Sequence, residues 1–164
     1  MSRLRRRDLI PDDTPIMGIF KDTKIVRGNW GRQLQADVLV TKGEYKGTQF
    51  PVWFSFGKDD SDGEEYIPYM GPLFQAFAMV EPDIENILDD DNLSDREYEK
   101  FIKNATKKLD GFEFRGRAGI KEPKDKEGNP KLDKNGQPKR NQILQPGSFG
   151  PAEDPDKIAE QIPF

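Results

Sequence analysis

Two stretches of alternation, the first interrupted only by Leu39 on its outer side, are joined by a glycine-bounded connection and constrain this chain more than any other feature of its sequence. From Gln33 to Thr41, Leu34, Ala36, Val38 and Val40 fall on one side, while Gln33, Gln35 and Asp37 fall on the other. From Gln49 to Phe56, Phe50, Val52, Phe54 and Phe56 alternate with Gln49, Pro51, Trp53 and Ser55. A period of two marks a strand with one buried face, because successive side chains leave a pleated backbone on opposite sides. Lys42-Gly43-Glu44-Tyr45-Lys46-Gly47 reads as the hairpin connection between them. Pro51 cannot donate to a ladder, so the second stretch belongs at an edge or a bulge. An antiparallel meander with one apolar face must close or be covered, which predicts a small barrel or sandwich.

The flanking segments extend this reading. Ile16-Met17-Gly18-Ile19-Phe20 and Lys24-Ile25-Val26 are rich in strand formers, and Gly28-Asn29-Trp30-Gly31 is a turn signal. Tyr69 to Val80 has few β-branched residues and predicts a short buried helix. Ser94-Asp95-Arg96-Glu97 has the spacing of a capping box, opening a helix to about Leu109 with Tyr98, Phe101, Ile102 and Ala105 on one stripe. Gly111 to Ile120 returns to strand character, with Phe112 and Phe114 opposite Glu113, Arg115 and Arg117. A polar excursion from Lys121 to Arg140 carries turn signals at Glu127-Gly128-Asn129 and Asn135-Gly136, before a short strand at Asn141 to Leu144. The expected architecture is mainly β, a five-stranded OB-fold barrel with a helical insertion between its third and fourth strands. Residues 1–14 are expected to be a flexible basic arm and residues 15–145 the barrel domain. Its helical insertion spans about 68–109 and its basic loop about 121–140. Residues 146–164 are expected to form a disordered acidic tail.

Composition removes much chemistry. The chain of 164 residues has no Cys and no His. That excludes disulfides, thiolate nucleophiles, most structural zinc sites and the usual base beside a nucleophilic serine. No catalytic residue, metal or other cofactor is expected. No apolar run approaches the roughly 20 residues that cross a bilayer, and no apolar core follows the basic start, so a cytosolic protein is expected. The net charge of −4 hides blocks of opposite sign. Arg3, Arg5, Arg6 and Arg7 crowd the start, acidic residues gather from Glu81 to Glu97 and from Glu153 to Glu160, and cations dominate from Arg115 to Arg140.

Aromatic residues beside cations on the outer side of the meander suggest a binding surface. Trp30 stands near Arg32, Tyr45 lies between Lys42 and Lys46, and Trp53 faces outward. Exposed aromatics stack unpaired bases while cations track phosphates, the pattern by which single-stranded nucleic acid is held. In isolation each such aromatic is about as well explained as a cap on the end of the core. The basic stretch adds Arg115, Arg117, Lys121 and Arg140, with Lys124, Lys126, Lys131, Lys134 and Lys139 further out in a loop that acidic residues also punctuate. The DNA-binding set expected from these positions is Trp30, Arg32, Tyr45, Lys46, Trp53, Arg115, Arg117, Lys121 and Arg140.

The acidic end finishes in Ile162-Pro163-Phe164, preceded by Asp154, Asp156 and Glu160. This ending resembles the tail tip of bacterial single-stranded DNA-binding proteins, with Lys157, Ala159 and Gln161 interrupting its acidic run. The resemblance implies that Asp154, Asp156, Glu160, Ile162, Pro163 and Phe164 dock replication, recombination or repair proteins. Gly43-Glu44-Tyr45-Lys46-Gly47 with its flanking strands is similar to small phage proteins thought to bind single-stranded DNA, over roughly residues 15 to 120. Together these imply a non-catalytic single-stranded DNA-binding protein of a bacterial cell or phage-infected host, with homo-oligomers open to it. The rival readings are a protein-binding OB or β-sandwich module, such as a viral assembly or inhibitor protein, and a Mg²⁺ nuclease built on Asp89, Asp90 and Asp91.

Overall fold

The computed structural model describes residues 9–29 and 31–152. Its elements are β1 (Thr14–Gly28), β2 (Gly31–Val40), β3 (Gln49–Ser55), β4 (Gly57–Lys58), β5 (Glu65–Tyr66), α1 (Pro72–Val80), α2 (Ile84–Leu88), α3 (Asp95–Leu109), β6 (Glu113–Lys121), β7 (Asn141–Leu144) and β8 (Gly150–Pro151). Five antiparallel strands in the order β3-β2-β1-β6-β7 make a strongly curled half-barrel, with β8 added on β6 and β4-β5 forming a separate small hairpin.

The alternation at residues 33–56 became the buried wall that its period implies. Leu34, Ala36, Val38 and Val40 of β2 and Phe50, Val52 and Phe54 of β3 all point into one core. Pro51 faces out of β3, which is an edge strand. β1 carries the curl. Its first residues pair with β6 and its later ones with β2, and Gly18 pairs on both sides, with Val40 and with Phe114. A Cβ on Gly18 would lie 2.7 Å from the Leu39 carbonyl oxygen, so only glycine lets the strands approach this closely. A bulge between Lys21 and Lys24 then bends the strand again. Phe20 stacks on Phe114 with ring centroids 4.2 Å apart and meets Phe54 edge-on, filling the barrel centre. Each such ring contributes about 1.5–3 kcal/mol by leaving water.

The helices cover the core of the half-barrel with matched apolar stripes. Ser94 caps α3, accepting from the Glu97 amide at 3.1 Å while its hydroxyl donates to the Glu97 carboxylate. Phe101, Ile102, Ala105, Thr106 and Leu109 form its buried face. α1 buries Leu73, Phe74, Ala76 and Phe77 against the same core. The expected insertion at 68–109 thus holds three helices, α2 being a five-residue turn after α1.

Two expected boundaries move outward. The arm expected over residues 1–14 is shorter, because Ile10 is fully buried and Thr14 already begins β1. The tail expected to lack structure from Pro146 starts later. Phe149 is buried and stacks on Phe54 at 5.3 Å, and β8 follows it. Polar composition around these positions hid single apolar anchors. Gly116 makes room for one of them, since a Cβ there would lie 3.0 Å from Cβ of Phe149.

Candidate nucleic-acid interface

The half-barrel leaves a seam where β3 and β7 face each other without being neighbours in the ladder. Along it runs a cleft of about 580 Å³, lined by residues of both strands together with Pro72, Lys121, Arg140 and Pro146. Strand alternation puts Trp53 on its outer rim, half exposed, opposite Gln35 of β2. Lys121 ends β6 and pairs with Asn141, the first residue of β7, so Arg140 just before Asn141 arrives at the same end of the cleft. Nineteen positions separate these two cations in sequence, and the β6–β7 hairpin brings them together. Among the described residues, neither has a carboxylate partner.

The β6–β7 connection contains a tandem repeat that the sequence reading overlooked. Lys124-Asp125-Lys126-Glu127-Gly128-Asn129-Pro130 and Leu132-Asp133-Lys134-Asn135-Gly136-Gln137-Pro138 share the pattern Asp-Lys-x-Gly-x-Pro eight residues apart. Each folds into the same turn. The Asp125 carboxylate accepts from the amides of Glu127 and Asn129, and that of Asp133 from Asn135 and Gln137. The carboxylates of Asp125 and Asp133 are thus spent on backbone amides, and Lys124, Lys126, Lys131, Lys134 and Lys139 stay exposed alongside Glu122 and Glu127. A search for self-similarity at short period would have found the repeat.

The other expected positions scatter. Tyr45 and Lys46 lie in the β2–β3 hairpin, with Tyr45 half-buried against the core and Lys46 exposed, and neither lines the cleft. Arg115 and Arg117 share the outer face of β6 with Lys121 by alternation. Arg117 donates to the carbonyl and carboxylate oxygens of Asp13, at 3.1 and 3.4 Å. Trp30 and the tail residues Asp154, Asp156, Glu160, Ile162, Pro163 and Phe164 lie outside the described residues.

Arg32 has a different job from the phosphate contact expected of it. Its Nε and Nη2 bind the two oxygens of Glu65, and Nη1 and Nη2 bind those of Glu99. Four of its five N–H donors are therefore engaged. The guanidinium lies over Phe56, 5.1 Å from the ring centroid. The Tyr98 hydroxyl donates to Glu65 at 2.9 Å. The hydrogen bonds to Glu65 and Glu99 hold Arg32 charged well beyond its ordinary range. Burial works to raise the Glu65 carboxyl, yet hydrogen bonds from Arg32 and Tyr98 outweigh it and hold that carboxyl low. Burial, then the bond to Glu65, pushes the Tyr98 phenol up. Glu65 and Glu99 lie 33 and 67 positions away from Arg32, so no local pattern announced this clamp.

Asp89, Asp90 and Asp91 sit in an exposed turn after α2, where an Asp90 carboxylate oxygen accepts from the Asn92 amide. No group of three acidic residues among the described ones is placed to hold a metal. No helix among them is long and apolar enough to cross a membrane. No protein-family model matches this chain, and no curated protein is detectably similar to it.

Proposed function

We propose that this chain binds single-stranded DNA without base-sequence preference, as a non-catalytic OB-fold protein, along the seam between β3 and β7. The observation that carries the reading is one exposed indole, Trp53, on the rim of a cleft that also holds two cations, Lys121 and Arg140, with no carboxylate partner among the described residues. A base stacked on Trp53 and phosphates neutralised by the cations are the two interactions such binding needs. The strand order supports the OB-fold assignment, since the first long strand pairs with both the second and the fourth of the five. In that fold the ligand crosses the second and third strands, under the loop between the fourth and fifth. Here that loop is the lysine-rich double turn. Arg32 leaves the proposed site, and Lys46, Arg115 and Arg117 become outlying contacts to a longer strand.

Coating single strands in replication, recombination or repair, in the cytoplasm of a bacterial cell or phage-infected host, is the role this activity suits. The tail ending in Ile162-Pro163-Phe164 would recruit partner proteins, its aromatic tip in an apolar hole and its acids on Lys or Arg. Deleting residues 161–164 should leave DNA affinity unchanged or raised while abolishing capture of those partners.

A second reading has one observation in its favour. Phe50, Val52, Phe54, Ile143 and Leu144 give the cleft an apolar floor between two sheet edges, which suits an extended peptide adding as a strand. A tryptophan fluorescence titration with poly-dT at two salt concentrations, against duplex DNA, separates the two. Quenching by the single strand that salt weakens supports DNA binding. Absence of quenching at low salt rejects it and leaves the peptide site.

A further inference from the structure

A second hollow, of about 210 Å³, shares no residue with the β3–β7 cleft. Ile67, Phe74 and Leu88 are its buried or half-buried apolar lining, and Tyr69, Glu85 and Asp89 its exposed one. The segment leading into α1 shows Tyr66, Tyr69 and Met70, three of the six large hydrophobic residues exposed among the described ones, so apolar surface is concentrated at this place. Met70 has φ 59°, a region that a side chain of its size rarely adopts. The Gln75 amide keeps that turn by donating to the Met70 carbonyl at 3.0 Å, and Tyr69 meets Phe74 edge-on at 5.2 Å. The surrounding sign is negative, since residues 81–97 carry eight acids and one arginine. Among the described residues, Glu85 and Asp89 have no cationic partner. A segment that fits this hollow is therefore both apolar and basic.

The chain carries such a segment at the tip of its double turn. Leu132 is 57% exposed there, with exposed Lys131 and Lys134 beside it. Leu132 forms a β-bridge with Pro138, the Lys139 amide donates to the Lys131 carbonyl at 2.8 Å, and the Asp133 amide donates to the Gln137 carbonyl at 2.7 Å. The apolar knob thus stands on a hydrogen-bonded stem, and docking it costs little conformational freedom. Because Leu132 is exposed within its own molecule, the hollow open to it is that of another copy.

We propose that copies of this chain associate head to tail, the tip of the double turn of one copy seating Leu132 in the hollow of the next while Lys131 and Lys134 meet Glu85 and Asp89. The two surfaces differ, so the contact is heterologous and continues into rings or open filaments instead of stopping at a two-fold dimer. It leaves the β3–β7 cleft free, because only the ends of the connection, Lys121 and Arg140, line that cleft. The association therefore stands apart from the DNA-binding reading and does not rest on it.

The test is sedimentation velocity of the full chain over a range of concentrations at low salt, without nucleic acid. A loop variant carries Lys131→Glu and Lys134→Glu, and a groove variant carries Glu85→Lys and Asp89→Lys. All four positions are exposed, so both variants should fold, as circular dichroism checks. The expected result is a sedimentation coefficient that rises with concentration in the natural chain, and less so at high salt. Each variant alone should lose that rise, because its loop then faces a groove of like charge. An equimolar mixture of the two should regain it, since every loop in the mixture finds a groove of opposite sign. Leu132→Ser should lose it with the charges intact. A natural chain whose sedimentation ignores concentration overturns the proposal and leaves the hollow to a basic segment of another protein. Association that persists in either variant alone, or a mixture that stays monomeric, overturns the pairing of these two surfaces.

Discussion

Two seams of this barrel use the same residue types for opposite ends. At the seam joining β2 to β5 and α3, an arginine, an aromatic ring and a tyrosine are satisfied internally, with Glu65 and Glu99 taking the charge of Arg32. At the seam between β3 and β7, an indole and two cations meet without acidic partners among the described residues, around an open cleft. A cation beside an aromatic ring therefore says little by itself about binding. Whether carboxylates converge on the cation decides between a clamp and a site, because a charge whose donors are filled has little left for a ligand.

The comparison breaks most sharply at the clamp. Arg32→Ala should destabilise the fold by about 2–3 kcal/mol, somewhat below the ~3–5 expected when one member of a fully buried pair is removed, since the network still touches water. Urea denaturation measures the loss, and DNA affinity of the folded variant should stay within about twofold. A large affinity loss without destabilisation would return Arg32 to the binding surface. Trp53→Ala should act the other way round, weakening poly-dT binding by about 1–3 kcal/mol, the worth of one stacked base, and barely shifting the denaturation midpoint. Unchanged affinity in an anisotropy titration would remove Trp53 from the site.

Lys121→Gln combined with Arg140→Gln sharpens the cleft side, reducing the salt slope of binding by about 1.4 if both cations meet phosphates. Arg117→Gln serves as the comparison, with a smaller change because Asp13 already engages that guanidinium. The smallest effect is a pH dependence of the clamp. Glu65 is held below its ordinary value of 4.5, so its contribution to stability is complete above that pH and is lost as pH falls through the lower folded value. Glu65→Gln should flatten this acid limb in a midpoint-versus-pH series, and an unaltered limb would assign it to other carboxylates.

Much of the framework was legible because it depends on period and local chemistry. β2 and β3 followed their alternation residue by residue, and α3 began at Ser94 and buried the stripe that its spacing marked. The turns at Gly128 and Gly136 formed where their composition placed them, both at positive φ. Ile10, next to Leu9, and Phe149 were missed because one or two apolar residues in polar surroundings have no period to betray them. The two-residue strands β4 and β5 are shorter than any alternation can register. Of the candidate site, outward-facing Trp53 was readable from the pleat of β3 and Lys121 and Arg140 from the basic stretch, while their convergence on one cleft was not.

The amino-acid sequence by itself determined which faces are apolar, where the longer strands and the capped helix run, and how charge is divided into blocks, since these follow from neighbours within a few residues. Only the tertiary structure decided which cations keep their charge for a ligand. Glu65 and Glu99 reach Arg32 from distant positions, whereas no described acid reaches Lys121 or Arg140. The reason is the way the sheet curls. Pairing of β1 with β2 on one side and β6 on the other bends the two sheet ends toward each other but leaves β3 and β7 unpaired, and the residues on those edges become a cleft.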